Sequence, residues 1–206
     1  MSEKTNLVVV TGPTAVGKTG VVKTAIADRK DELAQFITTT DRPLRDGEVH
    51  GEHYYKVLPY QFQEKRLGDM FFEYEEVFNS GWYGCERFEL KRIAESNKQA
   101  IIVVDVNGAL KFLGKRDQGF IDLTNITAEV VYITAPKEQL IERLYKDVAE
   151  GKRKNDPDDI RKRIERMDYE LAQQKHFANV ISNANGQLTF AVNTFINEVQ
   201  RMRQLA

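Results

Sequence analysis

Residues 12–19, Gly12-Pro13-Thr14-Ala15-Val16-Gly17-Lys18-Thr19, satisfy the spacing G-x-x-x-x-G-K-[ST] without a mismatch. The chemistry that such a segment performs is capture of a polyphosphate. Glycines let backbone N–H groups turn inward and come close to phosphate oxygens. A helix starting at the end of the loop adds unsatisfied donors and a partial positive charge. In that frame Lys18 reaches the β- and γ-phosphates, and the Thr19 hydroxyl is a ligand for Mg²⁺. The loop alone does not separate a kinase from a GTPase or an ATPase motor.

A second anion site is suggested downstream. Arg42 and Arg45 stand three residues apart with Pro43 stiffening the turn between them, and Tyr54 follows as a hydroxyl donor. Arginine presents a planar fork of donors suited to phosphate. Read without further context, the same residues also suit solvated arginines in a turn.

These candidates need elements to position them. Asn6 to Val10 is a β-branched run without alternation, the pattern of a strand buried on both faces. A helical pattern starts near Gly17 and carries Val21, Val22, Ala25 and Ile26 up to Leu33, and a second strand is expected over Gln35 to Thr38. From Thr39 to Glu86 the texture changes to Pro, Gly, Asp, His and aromatics, with a small helix near Tyr60 to Leu67. Arg87 to Asn97 reads as a helix and Ala100 to Val106 as a buried strand, with a helix from Asn107 ending before Gly119. Glu129 to Thr134 is a strand, Lys137 to about Asp147 a helix, and Pro157-Asp158-Asp159 the start of another. Asn179 to Ser182 is a last short strand. Leu188, Val192, Phe195, Ile196, Val199 and Met202 mark one face of a closing helix. Alternating strands and helices predict an α/β fold with a parallel core sheet covered on both faces.

Composition excludes several classes. The formal net charge of −1 gives no basic field for nucleic acid or a membrane surface. The single cysteine, Cys85, cannot form an internal disulfide, and His50, His53 and His176 offer no metal-ligand spacing with it. No apolar run approaches the roughly 20 residues that span a bilayer. A cytoplasmic protein is the expectation.

The stretch Thr38-Thr39-Thr40-Asp41-Arg42-Pro43-Leu44-Arg45-Asp46-Gly47-Glu48, continuing through Tyr54, resembles the GMP-binding segment of guanylate kinases. Phe71-Phe72-Glu73, Trp82-Tyr83-Gly84, Asp105-Val106-Asn107-Gly108-Ala109 and Asn183 extend the resemblance over nearly the whole chain. It implies a three-layer P-loop NTPase fold read as one domain, 1–206. The core would be 1–38, 86–144 and 157–206, with an acceptor-binding insert at 39–85 and a lid at 145–156. It implies transfer of the ATP γ-phosphoryl group to GMP with Mg²⁺. ATP would lie on Gly12–Thr19 and near Asn183. The GMP phosphate would be held by Arg42, Arg45, Tyr54 and Tyr83, and the base would meet Thr38, Glu73, Cys85 and Asp105. Arg143 and Arg163, with one of Lys152, Arg153 or Lys154, would close over the transferring group beside Lys18 and Arg42. A carboxylate at Glu73 can accept from both the ring N–H and the exocyclic amine of guanine; adenine lacks that donor pair.

The chain also departs from the family pattern. An ungapped match puts Val103 where the family has the first aspartate of Asp-x-Asp, whereas a two-residue gap would put Asp105 there and Asn107 second; Cys85 replaces a serine or threonine, Asp41 replaces a threonine, and the lid is longer. Two alternative readings keep the fold: a kinase for another phosphorylated acceptor, or a non-catalytic module that binds a phosphopeptide through the arginine cage. Neither monomer nor homodimer is indicated.

Overall fold

The computed structural model describes residues 5–45, 47–77, 81–151 and 156–204. In chain order the elements are β1 (Thr5–Thr11), α1 (Lys18–Asp28), β2 (Leu33–Gln35), β3 (Thr38–Thr40), β4 (Tyr54–Lys56), α2 (Pro59–Leu67), β5 (Phe71–Val77), β6 (Gly81–Glu86) and α3 (Arg87–Glu95). They continue with β7 (Gln99–Val103), α4 (Val106–Phe112), β8 (Phe120–Ile121), β9 (Ile126–Thr134), α5 (Lys137–Ala149), α6 (Pro157–Ala172), β10 (Asn179–Ser182) and α7 (Leu188–Gln204).

An all-apolar strand must be covered on both sides, and β1 is. Val8 and Val10 point into a cluster with Val21 and Val22 of α1 and with Phe195 and Val199 of α7. Leu7 and Val9 point into a second cluster with Ile93 of α3, Leu110 of α4 and Tyr132 of β9. Each fully buried side chain of this kind contributes about 1.5–3 kcal/mol. The core sheet has the order β10-β9-β1-β7-β2, and every pairing in it is parallel. In such a sheet ligand sites form beyond the carboxyl ends of the strands. That is where β1 delivers Gly12 and β7 delivers Asp105.

A second sheet has the order β4-β3-β6-β5-β8, with β3–β4 parallel and the other pairings antiparallel. Its last strand, β8, comes from after α4. Helix α2 is anchored by Phe62, which is fully buried and stacked on Phe71 at 4.7 Å between ring centroids. Lys65 pairs with the buried Glu86 at 2.6 Å, and Glu86 also accepts from the Thr39 hydroxyl. The α2 end of the sheet is therefore fixed by one aromatic stack and one charge pair.

Several boundaries differ from the sequence reading, β9 for example starting at Ile126. Helix α1 ends at Asp28, where the chain turns through exposed Arg29, Lys30 and Asp31, while Leu33 is drawn into β2 opposite Gln99. The expected strand over Gln35 to Thr38 is split. β2 stops at Gln35, buried Phe36 turns onto Phe72 at 5.8 Å, and β3 starts in the other sheet. The strand expected to reach Val106 ends at Val103, and Asp105 caps α4 by accepting from the Gly108 N–H at 2.8 Å. Leu188, expected on the buried face of α7, is 47 % exposed.

Phe62→Ala is expected to destabilise the protein by about 3–5 kcal/mol, as measured by the shift of its urea unfolding midpoint.

Candidate active site

The loop between β1 and α1 has a backbone that few sequences tolerate. Gly12 lies at φ +146°, and a Cβ there would sit 2.1 Å from the Ile133 carbonyl oxygen. Even Ala15 has a positive φ of 63°. Side chains from elsewhere hold this conformation. Asn183 Nδ2 donates to the Val16 carbonyl at 2.8 Å, and Arg143 Nη1 donates to the same oxygen at 3.3 Å. Arg143 Nη2 also donates to the Asn183 carbonyl at 2.8 Å. The Thr14 N–H donates to the buried Glu170 carboxylate at 2.8 Å. Lys18 Nζ curls back to donate to the carbonyls of Gly12 (2.7 Å) and Pro13 (3.1 Å).

Beside this loop lies a cavity of about 680 Å³ lined by Thr14, Ala15, Gly17, Lys18 and Thr19, by Arg143 and Arg163, and by residues 183–186. Arg163 is paired there with Asp159 at 2.7 Å. A second cavity of about 200 Å³ is flanked on one side by Thr19, Val22 and Lys23 of α1. Its other side carries Thr38, Glu48, His53 and Tyr54, and Val103 also lines it. Thr19 borders both spaces.

Arg42 backs the far wall, held against Glu48 and the Tyr54 ring. It is 7 % exposed, and its guanidinium is held by a bidentate pair with Glu48 at 2.7 and 2.8 Å. Nε donates to the Tyr83 hydroxyl at 2.6 Å and Nη1 to the Pro43 carbonyl at 2.7 Å. The Tyr54 ring lies 4.9 Å from the guanidinium carbon. Arg42, Tyr54 and Tyr83 are thus brought together as expected. Arg45 is not in that cage: it is exposed, and its backbone N–H donates to Glu48 Oε2 at 2.8 Å. Glu48 is the organiser. Arg42's bidentate hydrogen bonds pull its carboxyl down to about 2.

Farther along the second sheet, Glu73 and Cys85 face each other across β5 and β6. The Cys85 thiol donates to Glu73 Oε2 at 3.2 Å, and Lys111 forms an ion pair with Glu73 Oε1. Burial pushes the thiol well above its usual range, and the Glu73 charge adds to that, so it stays protonated as a donor. Asp105 is elsewhere occupied. Besides capping α4, it pairs with Arg166 at 2.6 Å, and Arg166 pairs in turn with Glu170 at 2.8 Å. One charged chain therefore runs from the Thr14 amide through Glu170 and Arg166 to Asp105.

A family model for guanylate kinase matches residues 4–201. The guanylate kinase of Syntrophomonas wolfei is 30 % identical over 183 residues, 89 % of this chain and 86 % of that protein. That of Porphyromonas gingivalis is 30 % identical over 171 residues, 81 % of this chain and 82 % of that one. The chain belongs to the guanylate kinase family. A solved guanylate kinase from Anaplasma phagocytophilum has the same fold, with a TM-score of 0.65 at 19 % identity over the whole of this chain and 89 % of that one.

Against the guanylate kinase pattern, Val103 ends β7 partly buried against the core and lining the second cavity. Lys152, Arg153 and Lys154 lie outside the described residues. The sequence reading missed Glu170, Arg166 and Lys111. A signal for the first two was present, because Arg166 and Glu170 stand four apart on one helix and form the expected ion pair. Lys111 carried a different signal, a lone charge between Leu110 and Phe112.

Glu48 has an ordinary value of 4.5 and a folded one near 2. Its contribution to stability is complete above about pH 4.5 and is lost as pH falls through about 2. A ¹³C titration should show the carboxylate ionised down to about pH 3, and Arg42→Lys should return its midpoint towards the ordinary value.

Proposed function

We propose that this chain transfers the γ-phosphoryl group of ATP to the phosphate of GMP, giving ADP and GDP. The observation that carries the reading is the second cavity, because Thr19 of the phosphate loop forms one wall and Thr38, Glu48 and Tyr54 form the other, with buried Arg42 bonded to Glu48 behind them. Two anion cradles separated by one small cleft suit direct in-line transfer, in which positioning and charge neutralisation supply most of the catalysis.

In this reading residues 12–19 bind the ATP phosphates, with Lys18 turning from its loop carbonyls to the γ-phosphoryl oxygens. Arg143 and Arg163 line the ATP space from α5 and α6 and neutralise charge on the transferring group, and Asn183 holds the loop beneath it. Arg42, Tyr54 and Tyr83 hold the acceptor phosphate, and Arg45 swings in from the rim. Thr38, Glu73 and Cys85 form the base end, and Asp105 would join it only by leaving Arg166. Proteins of this kind use ATP with a divalent metal, and Mg²⁺ fits the donor set. Among the described residues there is no group of three metal-binding side chains, so Thr19 would be the protein oxygen and phosphates and water the others. When bound, the metal draws negative charge from the β- and γ-phosphates. Closure of the acceptor sheet would keep water from the γ-phosphate. Among the described residues no helix is long and apolar enough to cross a membrane.

A coupled assay of ADP release with GMP, AMP, UMP and ribose phosphates tests the assignment. GMP should be the preferred acceptor by orders of magnitude over AMP, and Lys18→Met should lower kcat by roughly 10²–10³-fold. Turnover of AMP without GMP would overturn the substrate. Phosphopeptide binding with no ADP release would favour a non-catalytic module.

A further inference from the structure

Helix α4 buries a lysine that the phosphate chemistry does not use. Lys111 is 1 % exposed in its side chain, yet its ammonium lies among carboxylates: it pairs with Glu73 and, at 3.0 Å, with Glu75 Oε2. Glu75 has a second cation, Arg116, at 2.8 Å. The backbone closes over this cluster. Gly119 has φ +79°, and a Cβ there would come within 2.8 Å of the Tyr74 carbonyl oxygen and 3.0 Å of Lys111 Nζ. An ammonium buried this deeply persists only when paired and hydrogen-bonded. Since Arg116 already serves Glu75, the carboxylate that depends on Lys111 is Glu73.

We propose that Lys111 is a positioning residue that determines base specificity, by pinning Glu73 as an ionised, two-oxygen acceptor for a purine carrying adjacent ring N–H and amino donors. The proposal rests on the GMP-kinase reading and deepens it. The Lys111 ammonium takes Oε1 and the Cys85 thiol takes Oε2. A carboxylate oxygen accepts more than one hydrogen bond, so both oxygens keep capacity for the base, and the side chain retains 11 % exposure. The charged and titratable groups facing Glu73 are Lys111 from α4, Cys85 from β6 and Glu75 from β5, with Arg116 behind Glu75; its β8 neighbour is the uncharged Ile121.

Burial pushes the Glu73 carboxyl up, and Lys111 is the largest influence opposing it. Remove that ammonium and the acid takes a proton. It then presents one donor and one acceptor, a poor match for guanine's two donors and a better one for adenine's acceptor–donor edge. Lys111 thus selects the base without touching it.

Lys111→Met and the near-isosteric Lys111→Gln should each raise the GMP KM at pH 7.5 by about 10- to 100-fold, with kcat changed less than about threefold, since the phosphate-handling residues are untouched. The preference for GMP over AMP should narrow by a similar factor. The excess KM over wild type should shrink as pH rises from 6 to 9, because Glu73 regains its charge. Lower thermal stability with KM, base preference and pH profile all unchanged would overturn the proposal. If neither variant folds, ¹³C NMR of the wild-type Glu73 carboxyl decides: ionised from pH 6 to 8 supports the pinning, and protonated at pH 7 overturns it. That measurement needs no turnover, so its failure is distinct from a wild-type enzyme that does not phosphorylate GMP.

Discussion

The architecture depends on keeping the backbone between β1 and α1 open, with its N–H groups turned inward. A short loop does not hold that shape alone, because it includes positive φ at Gly12, Ala15 and Gly17 and leaves carbonyls such as Val16 without a helical partner. The core sheet supplies the constraint from outside. Ile133 on β9 excludes any side chain at position 12, while Asn183 beyond β10 and Arg143 on α5 converge on the Val16 carbonyl. The strand order β10-β9-β1-β7-β2 places those residues around the loop, so sheet topology and phosphate chemistry are one problem solved once.

Charge is handled by the same logic at both ends of the site. Two polyanions can be brought together only by cations, and cations left alone at a protein surface disperse into many rotamers. Here three arginines are paired in advance: Arg42 on Glu48, Arg163 on Asp159, and Arg166 between Asp105 and Glu170. The acids fix the geometry and limit the entropy lost when a phosphate arrives. The arrangement also links the sites physically, since Glu170 touches the Thr14 amide while Arg166 reaches the α4 cap. Val103 adds no oxygen to this network.

Most of the core was legible in the residues because its patterns are local. The strands around Val8 and Val131 are continuous apolar runs, the last strand was placed at its observed limits, and the start of α6 followed from Pro157 with its flanking acids. The misplacements fall where the chain changes role. Leu33 belongs to a strand because Gln99 lies beside it, and Asp105 belongs to a helix because Gly108 offers an N–H. Arg45 was grouped with Arg42 by spacing, yet the turn sends it to the rim while Glu48, given no role, takes the centre of the cage.

By itself the sequence determined the phosphate loop, the α/β alternation and the family, since each is written in neighbouring residues whose spacing is also their geometry. The tertiary structure alone decided which distant charges meet. Lys111 and Glu75 are 36 residues apart, and Arg166 and Asp105 are 61 apart. Whether such groups touch depends on strand register and helix rotation. Those are set by the packing of two whole sheets, and no short stretch of the chain encodes them.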